Sequence, residues 1–201
     1  MEDTIQFRIE QSYLEQARSC LQTEVVQIKG TTTTDPAMSP NLMYALVAQT
    51  YIFSYLALLS FISIQVGILW KAQDAPLQKR FPKAKDLQHL LNSDLKEVKD
   101  AIKIICEESK IEKLHEADPI LWNELINVLK PVRDFLSHPY ANSEEFNKIM
   151  DEAMTKHSWN FPSKVAEKVI SYFYEKTSRP TPDWVKQNQD FAVQTIKIKP
   201  L

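Results

Sequence analysis

The sequence predicts an all-α fold, and three observations predict it. The 201-residue chain holds two glycines, Gly30 and Gly67; sheet-rich folds use glycine freely at turns and bulges, and helical folds need little of it. Its apolar residues recur at three- and four-residue spacing over long stretches. Most of its eleven prolines fall between those stretches, where they punctuate helices. The length suits one domain, 1–201, large enough to bury a core.

Taken in order, the chain opens with a short alternating run from Thr4 to Glu10, with Ile5, Phe7 and Ile9 on one side, which predicts a strand. Ala192 to Lys199 alternates similarly, so the two ends are candidates to pair. Between them the spacing predicts about six helices. The first covers about 11–27, with Tyr13, Leu14, Ala17, Leu21 and Val25 on one stripe. A loop with a threonine run, 30–40, leads to a long uncharged helix at 41–71. A basic loop follows, with Lys71, Lys79, Arg80, Lys83 and Lys85 against the single acid Asp74. The third helix is expected at about 84–109, apolar at Leu87, Leu90, Leu91, Leu95, Val98, Ile102 and Ile105, with charges opposite.

Asp118-Pro119 is a strong helix start: Asp caps free amides and Pro suits the first helical position. The fourth helix carries Leu121, Leu125, Val128, Leu129 and Val132, with Pro131 placed to kink it. Asn142-Ser143-Glu144-Glu145 resembles a capping box opening a fifth helix to about His157, and Pro162 opens a sixth that stops before Arg179. The helical core is thus about 41–177. The strand and helix at 4–28 and the tail at 178–201 are appendages.

A net charge of −2 argues against a protein that coats nucleic acid by bulk electrostatics and leaves a local basic groove open. Cys20 and Cys106 have no metal or redox spacing and read as buried thiols of a reducing compartment. The first ten residues are mixed and charged, unlike a signal peptide. No charge occurs from Pro36 to Trp70, a length that would cross a bilayer. Gln49, Ser54, Ser60, Ser63 and Gln65 recur through it, which favours a buried helix of a cytoplasmic protein over a membrane-associated one. A helix apolar nearly all round needs cover on several sides, and a second subunit would supply part of it.

The one chemically loaded segment is Arg133-Asp134-Phe135-Leu136-Ser137-His138-Pro139-Tyr140. Histidine titrates near neutrality and serves as base or acid. Arginine offers a fixed fork of donors for phosphate oxygens. RNA cleavage needs both: a 2′-hydroxyl deprotonated, a 5′-oxygen protonated and phosphorane charge held. Five positions apart on an ideal helix, the two side chains point about 140° from each other. Convergence on one substrate therefore calls on the kink, the helix end or a second subunit. The plainer alternatives are that Arg133 pairs with Asp134, that His138 caps the helix end, and that Tyr140 is structural.

Arg133-x4-His138-x-Tyr140 on the fourth helix of a helical chain resembles the signature of the HEPN superfamily, in the form found in HepT-type toxins. The resemblance implies a HEPN-like helical bundle that forms a homodimer, with Arg and His of both subunits meeting in a cleft. It implies metal-independent endoribonuclease activity in a bacterial toxin–antitoxin or defence system, with RNA as substrate and no cofactor. Arg133 and His138 are then the catalytic pair, and Asp134 and Tyr140 flank the substrate. Tyr140 matches the tyrosine modified by a nucleotidyltransferase-type antitoxin. The chain departs from the pattern at Asp134, where active members often carry Asn; an acid there weakens the arginine's grip on phosphate. A catalytically silent module that binds RNA, nucleotide or protein is the second functional reading. His89, His115 and His157 stand apart from one another without zinc-site spacing.

Overall fold

A computed structural model describes residues 11–19, 40–137, 143–157 and 160–186. The described residues are overwhelmingly helical, and no strand occurs among them. The two predicted terminal strands, 4–10 and 192–199, lie outside the described residues.

The fold is built around one helix. After α1 (11–19), α2 runs from Pro40 to Lys71, 32 residues without an internal proline, which is about 48 Å of helix. Tyr51, Tyr55, Leu58, Phe61, Ile62 and Val66 are buried on it, together with the polar Thr50, Ser54 and Gln65. Its Val47–Lys71 stretch is long and apolar enough to cross a membrane by length and composition. In this structure α2 packs against helices from the rest of the chain.

Those helices follow in order. The basic loop contains a short α3 (Pro76–Arg80), and Leu77 on it is buried. The predicted third helix, 84–109, is in fact two, α4 (Leu87–Asn92) and α5 (Val98–Glu108). The break lies between Asn92 and Val98. The Ser93 and Asp94 amides still donate to the carbonyls four residues back, and the register changes at Leu95, whose amide donates to the Leu90 carbonyl five residues back at 2.9 Å; Ser93 Oγ lies 2.6 Å from the His89 carbonyl oxygen and 2.9 Å from Asp94 Oδ2. The apolar stripe survives the break, because Leu90 and Leu95 both reach the core. A Cβ at Gly67 would meet Leu87 Cδ2 at 3.4 Å, an ordinary van der Waals contact, so this corner does not depend on the glycine.

Beyond α5 come α6 (Leu114–Ala117), α7 (Pro119–Asn123), a π-helical segment (Glu124–Leu129) and α8 (Lys130–Ser137). The Asp118-Pro119 start is as the sequence predicts, with Asp118 Oδ1 accepting from the Leu121 amide at 2.8 Å. Asp118→Ala removes that acceptor, and about 1 kcal/mol of stability should go with it. The check is a urea melt, which should show a lower midpoint at unchanged slope.

α9 (Ser143–Lys156), α10 (Phe161–Lys176) and α11 (Asp183–Lys186) complete the chain. α10 lies along α2, with Phe61 against Phe173 and Tyr174 at ring distances of 5.8 and 5.9 Å. α5 and α8 cover other sides of α2, and α9 packs on α8. α5 and α10 are followed by residues in the left-handed region, Lys110 (φ 54°) and Ser178 (φ 54°). Glycine usually fills such positions. This glycine-poor chain fills them with longer side chains.

The two ends of the described chain meet on α10. Arg18 of α1 is buried and reaches Glu167 of α10 at 2.9 Å. It also donates to the carbonyls of Trp184, at 2.6 Å, and Val185, at 3.2 Å, in α11. Leu14, Ala17, Trp184 and Val185 join the core beside it. One guanidinium thus holds α1, α10 and α11 together.

Candidate functional site

The π-helical segment is the local consequence of Pro131. In a continuous α-helix, residue 131 would donate to the carbonyl of Asn127; proline has no amide, and its ring would press on that carbonyl. The chain widens by one register, so that the Lys130 amide donates to the Leu125 carbonyl five residues back. The sequence predicts a kink here, and the structure resolves it as a change of helix type. π-segments of this kind occur frequently at functional sites. The distortion precedes both motif residues. Arg133 itself lies in regular α-helix that continues to Ser137, whose Oγ donates to the Arg133 carbonyl at 2.9 Å.

Arg133 faces α2. Its guanidinium stacks over the ring of Tyr55, 4.4 Å from the centroid. Tyr55 is almost fully buried, and its hydroxyl pKa is raised, chiefly by burial, with Asp134 and Glu97 adding to the rise and Arg133 opposing it. Arg133 Nη1 donates to Asp134 Oδ1 at 2.7 Å. The pairing foreseen between these neighbours is therefore present. Lys130, one turn earlier, donates to the second oxygen, Oδ2, at 2.6 Å and lies 3.6 Å from Glu97, the residue just before α5. The side chains of Lys130, Arg133 and Asp134 are 27, 25 and 32% exposed, so the cluster lies at the surface with its apolar side covered.

The titration of the cluster follows from these contacts. Burial pushes the Asp134 pKa up, but the hydrogen bonds from Lys130 and Arg133 outweigh it and hold the carboxyl below its ordinary range. The Lys130 pKa is raised, first by its hydrogen bond to Asp134. Both shifts favour the charged forms.

The structure thus brings Arg133 and Asp134 together and adds three residues that the sequence reading did not single out for the site. Lys130 was within reach of that reading, because it sits four residues before Asp134, on the same helical face. Glu97 was read only as one charge on a solvated helix face, and Tyr55 had no local signal. His138 and Tyr140 lie outside the described residues.

The flanking features sort themselves. Of the basic loop, Arg80 is engaged by Glu107 at 2.9 Å and Glu108 at 3.0 Å, while Lys71, Lys79, Lys83 and Lys85 are exposed. Between the π-segment, α8 and α9 lies a groove of about 270 Å³ lined by Val128, Pro131, Val132, Ile149 and His157 among others. His157 stacks on Phe161 at 4.2 Å. Among the described residues, no three His, Cys, Asp or Glu side chains are grouped as metal ligands. Cys106 is a free, buried thiol. No family model matches the chain, and no curated protein or solved structure matches it.

Proposed function

We propose that this protein is a HEPN-like, metal-independent endoribonuclease of a bacterial toxin–antitoxin or defence system. The observation that carries the reading is the motif Arg133-x4-His138-x-Tyr140 at the end of a proline-distorted helix in an all-helical fold. Arg133 stabilises phosphate charge, and His138 moves the proton as general acid or base. A phosphate-binding arginine should be held rigidly and still be reachable from solvent. The Tyr55 ring beneath Arg133 and its 25% exposure support that role.

One motif histidine per chain is thin for two proton transfers, so the active form in this reading is a homodimer. Ile64 and Ile68, one turn apart on α2, are 41 and 51% exposed and support a further covering of that helix. The packing of α2 among charged helices supports a cytoplasmic location. A nucleotidyltransferase-type antitoxin acting on Tyr140 belongs to the same reading.

The test uses total RNA in EDTA. Wild type should give fragments with 2′,3′-cyclic-phosphate ends, and Arg133→Ala and His138→Ala should each lower the rate by a factor of about a hundred or more. Equal cleavage by wild type and His138→Ala would remove the catalytic assignment. The Arg133–Asp134 pair favours one second reading, a catalytically silent module that binds phosphate-bearing ligands. Its outcome would be RNA binding with no fragments from soluble wild-type protein.

A further inference from the structure

We propose that Lys130 and Arg133 form a two-cation seat for an RNA phosphodiester, and that Asp134 is its internal occupant, displaced when the phosphodiester binds. This rests on the phosphate-binding role given to Arg133 above, and it adds a binding residue and a competitor.

The geometry is that of a filled anion site. One carboxylate takes Arg133 on one oxygen at 2.7 Å and Lys130 on the other at 2.6 Å. Two oxygens on one centre, each meeting its own cation, is the pattern that two non-bridging phosphate oxygens would present. Tyr55 backs the guanidinium, so Arg133 keeps its position when its partner changes. It uses one N–H on Asp134, and among the described residues no other acceptor is recorded for it, so donors of the fork remain for a phosphate.

The charge balance also suits an exchange. With Asp134 in place the two cations are half neutralised, and Glu97 offers Lys130 only a longer contact at 3.6 Å. A phosphodiester carries the same single charge as the carboxylate that it replaces. Asp134 is 32% exposed, so it has water to turn to when it leaves. It costs binding because a phosphate must first break two charge-assisted hydrogen bonds.

The probe is a short fluorescein-labelled 2′-O-methyl RNA, which binds but is not cut through its 2′-oxygen, followed by anisotropy in EDTA. Asp134→Asn should tighten binding roughly three- to tenfold. Adding Lys130→Met to that variant should undo the gain and lower the slope of log affinity against log salt by about 0.7, the loss of one phosphate contact to a single strand. Melting curves accompany each variant, and Asp134→Ser replaces Asp134→Asn if the latter does not melt cooperatively. Unchanged or weaker binding by a folded Asp134 variant overturns the proposal, as does an unchanged salt slope on loss of Lys130. The ribonuclease reading fails separately: tighter binding by Asp134→Asn with no cleavage of ordinary RNA by wild type keeps the seat and removes the enzyme. Cleavage by wild type with no response at positions 130 and 134 does the reverse.

Discussion

Arg18→Met should destabilise the protein by about 3–5 kcal/mol, the range for breaking one side of a buried ion pair. The arginine is 7% exposed and Glu167 is equally buried, so the substitution leaves the carboxylate in low dielectric without the cation at 2.9 Å. It also takes the donor from the Trp184 and Val185 carbonyls of α11. The cost is therefore mostly that of stranding polar groups rather than of losing attraction. That distinction is testable. In Arg18→Met/Glu167→Leu both charges are gone, so the part of the loss due to the stranded carboxylate should return, while the Trp184 and Val185 carbonyls stay without this donor. Urea denaturation of the two variants reads this directly. A single variant within about 0.5 kcal/mol of wild type would show that the pair has no structural role.

Phe61→Ala should have an effect of similar size, about 3–5 kcal/mol, through a different cause. The ring is 1% exposed where α2 meets α10, touching Phe173 and Tyr174. Removing it opens a cavity that two long helices have little freedom to close. For a chain of this size the melting temperature should fall by roughly 6–20 °C. Ile120→Ala, 73% exposed in α7, is the control and should move the midpoint little. Near-equal effects of the two substitutions would place the α2–α10 contact outside the core.

Local signals were legible. The uncharged run gave α2 within a residue or so of its ends, and Asp118-Pro119 gave the start of α7, because capping and proline geometry act between near neighbours. The apolar stripe of 84–109 concealed its own break. Periodicity reports which residues face the core, and the non-helical step between α4 and α5 leaves Leu90 and Leu95 facing it. At the site, Pro131 announced a distortion but not its form, since a kink and a π-register both satisfy a missing amide. Arg133 and Asp134 were visible as neighbours. Tyr55 was not, because its ring arrives from a distant helix. Arg18 and Glu167 were hidden more thoroughly. Single charges on amphipathic helices read as solvent-facing, and only the docking of α11 over α10 encloses them.

The Arg18 contact joins residues 166 positions apart, and that separation bears on synthesis. At ribosomal rates, the interval between adding Arg18 and adding Trp184 is on the order of ten to thirty seconds. Throughout it the N-terminal helix has neither α10 nor α11 to dock on. Tyr13 has Phe53 to stack on once α2 is made, but the partners of Arg18 come only with α10 and α11. Closure of this part of the core is thus a late event, and chaperone capture of the nascent chain should centre on its first helix.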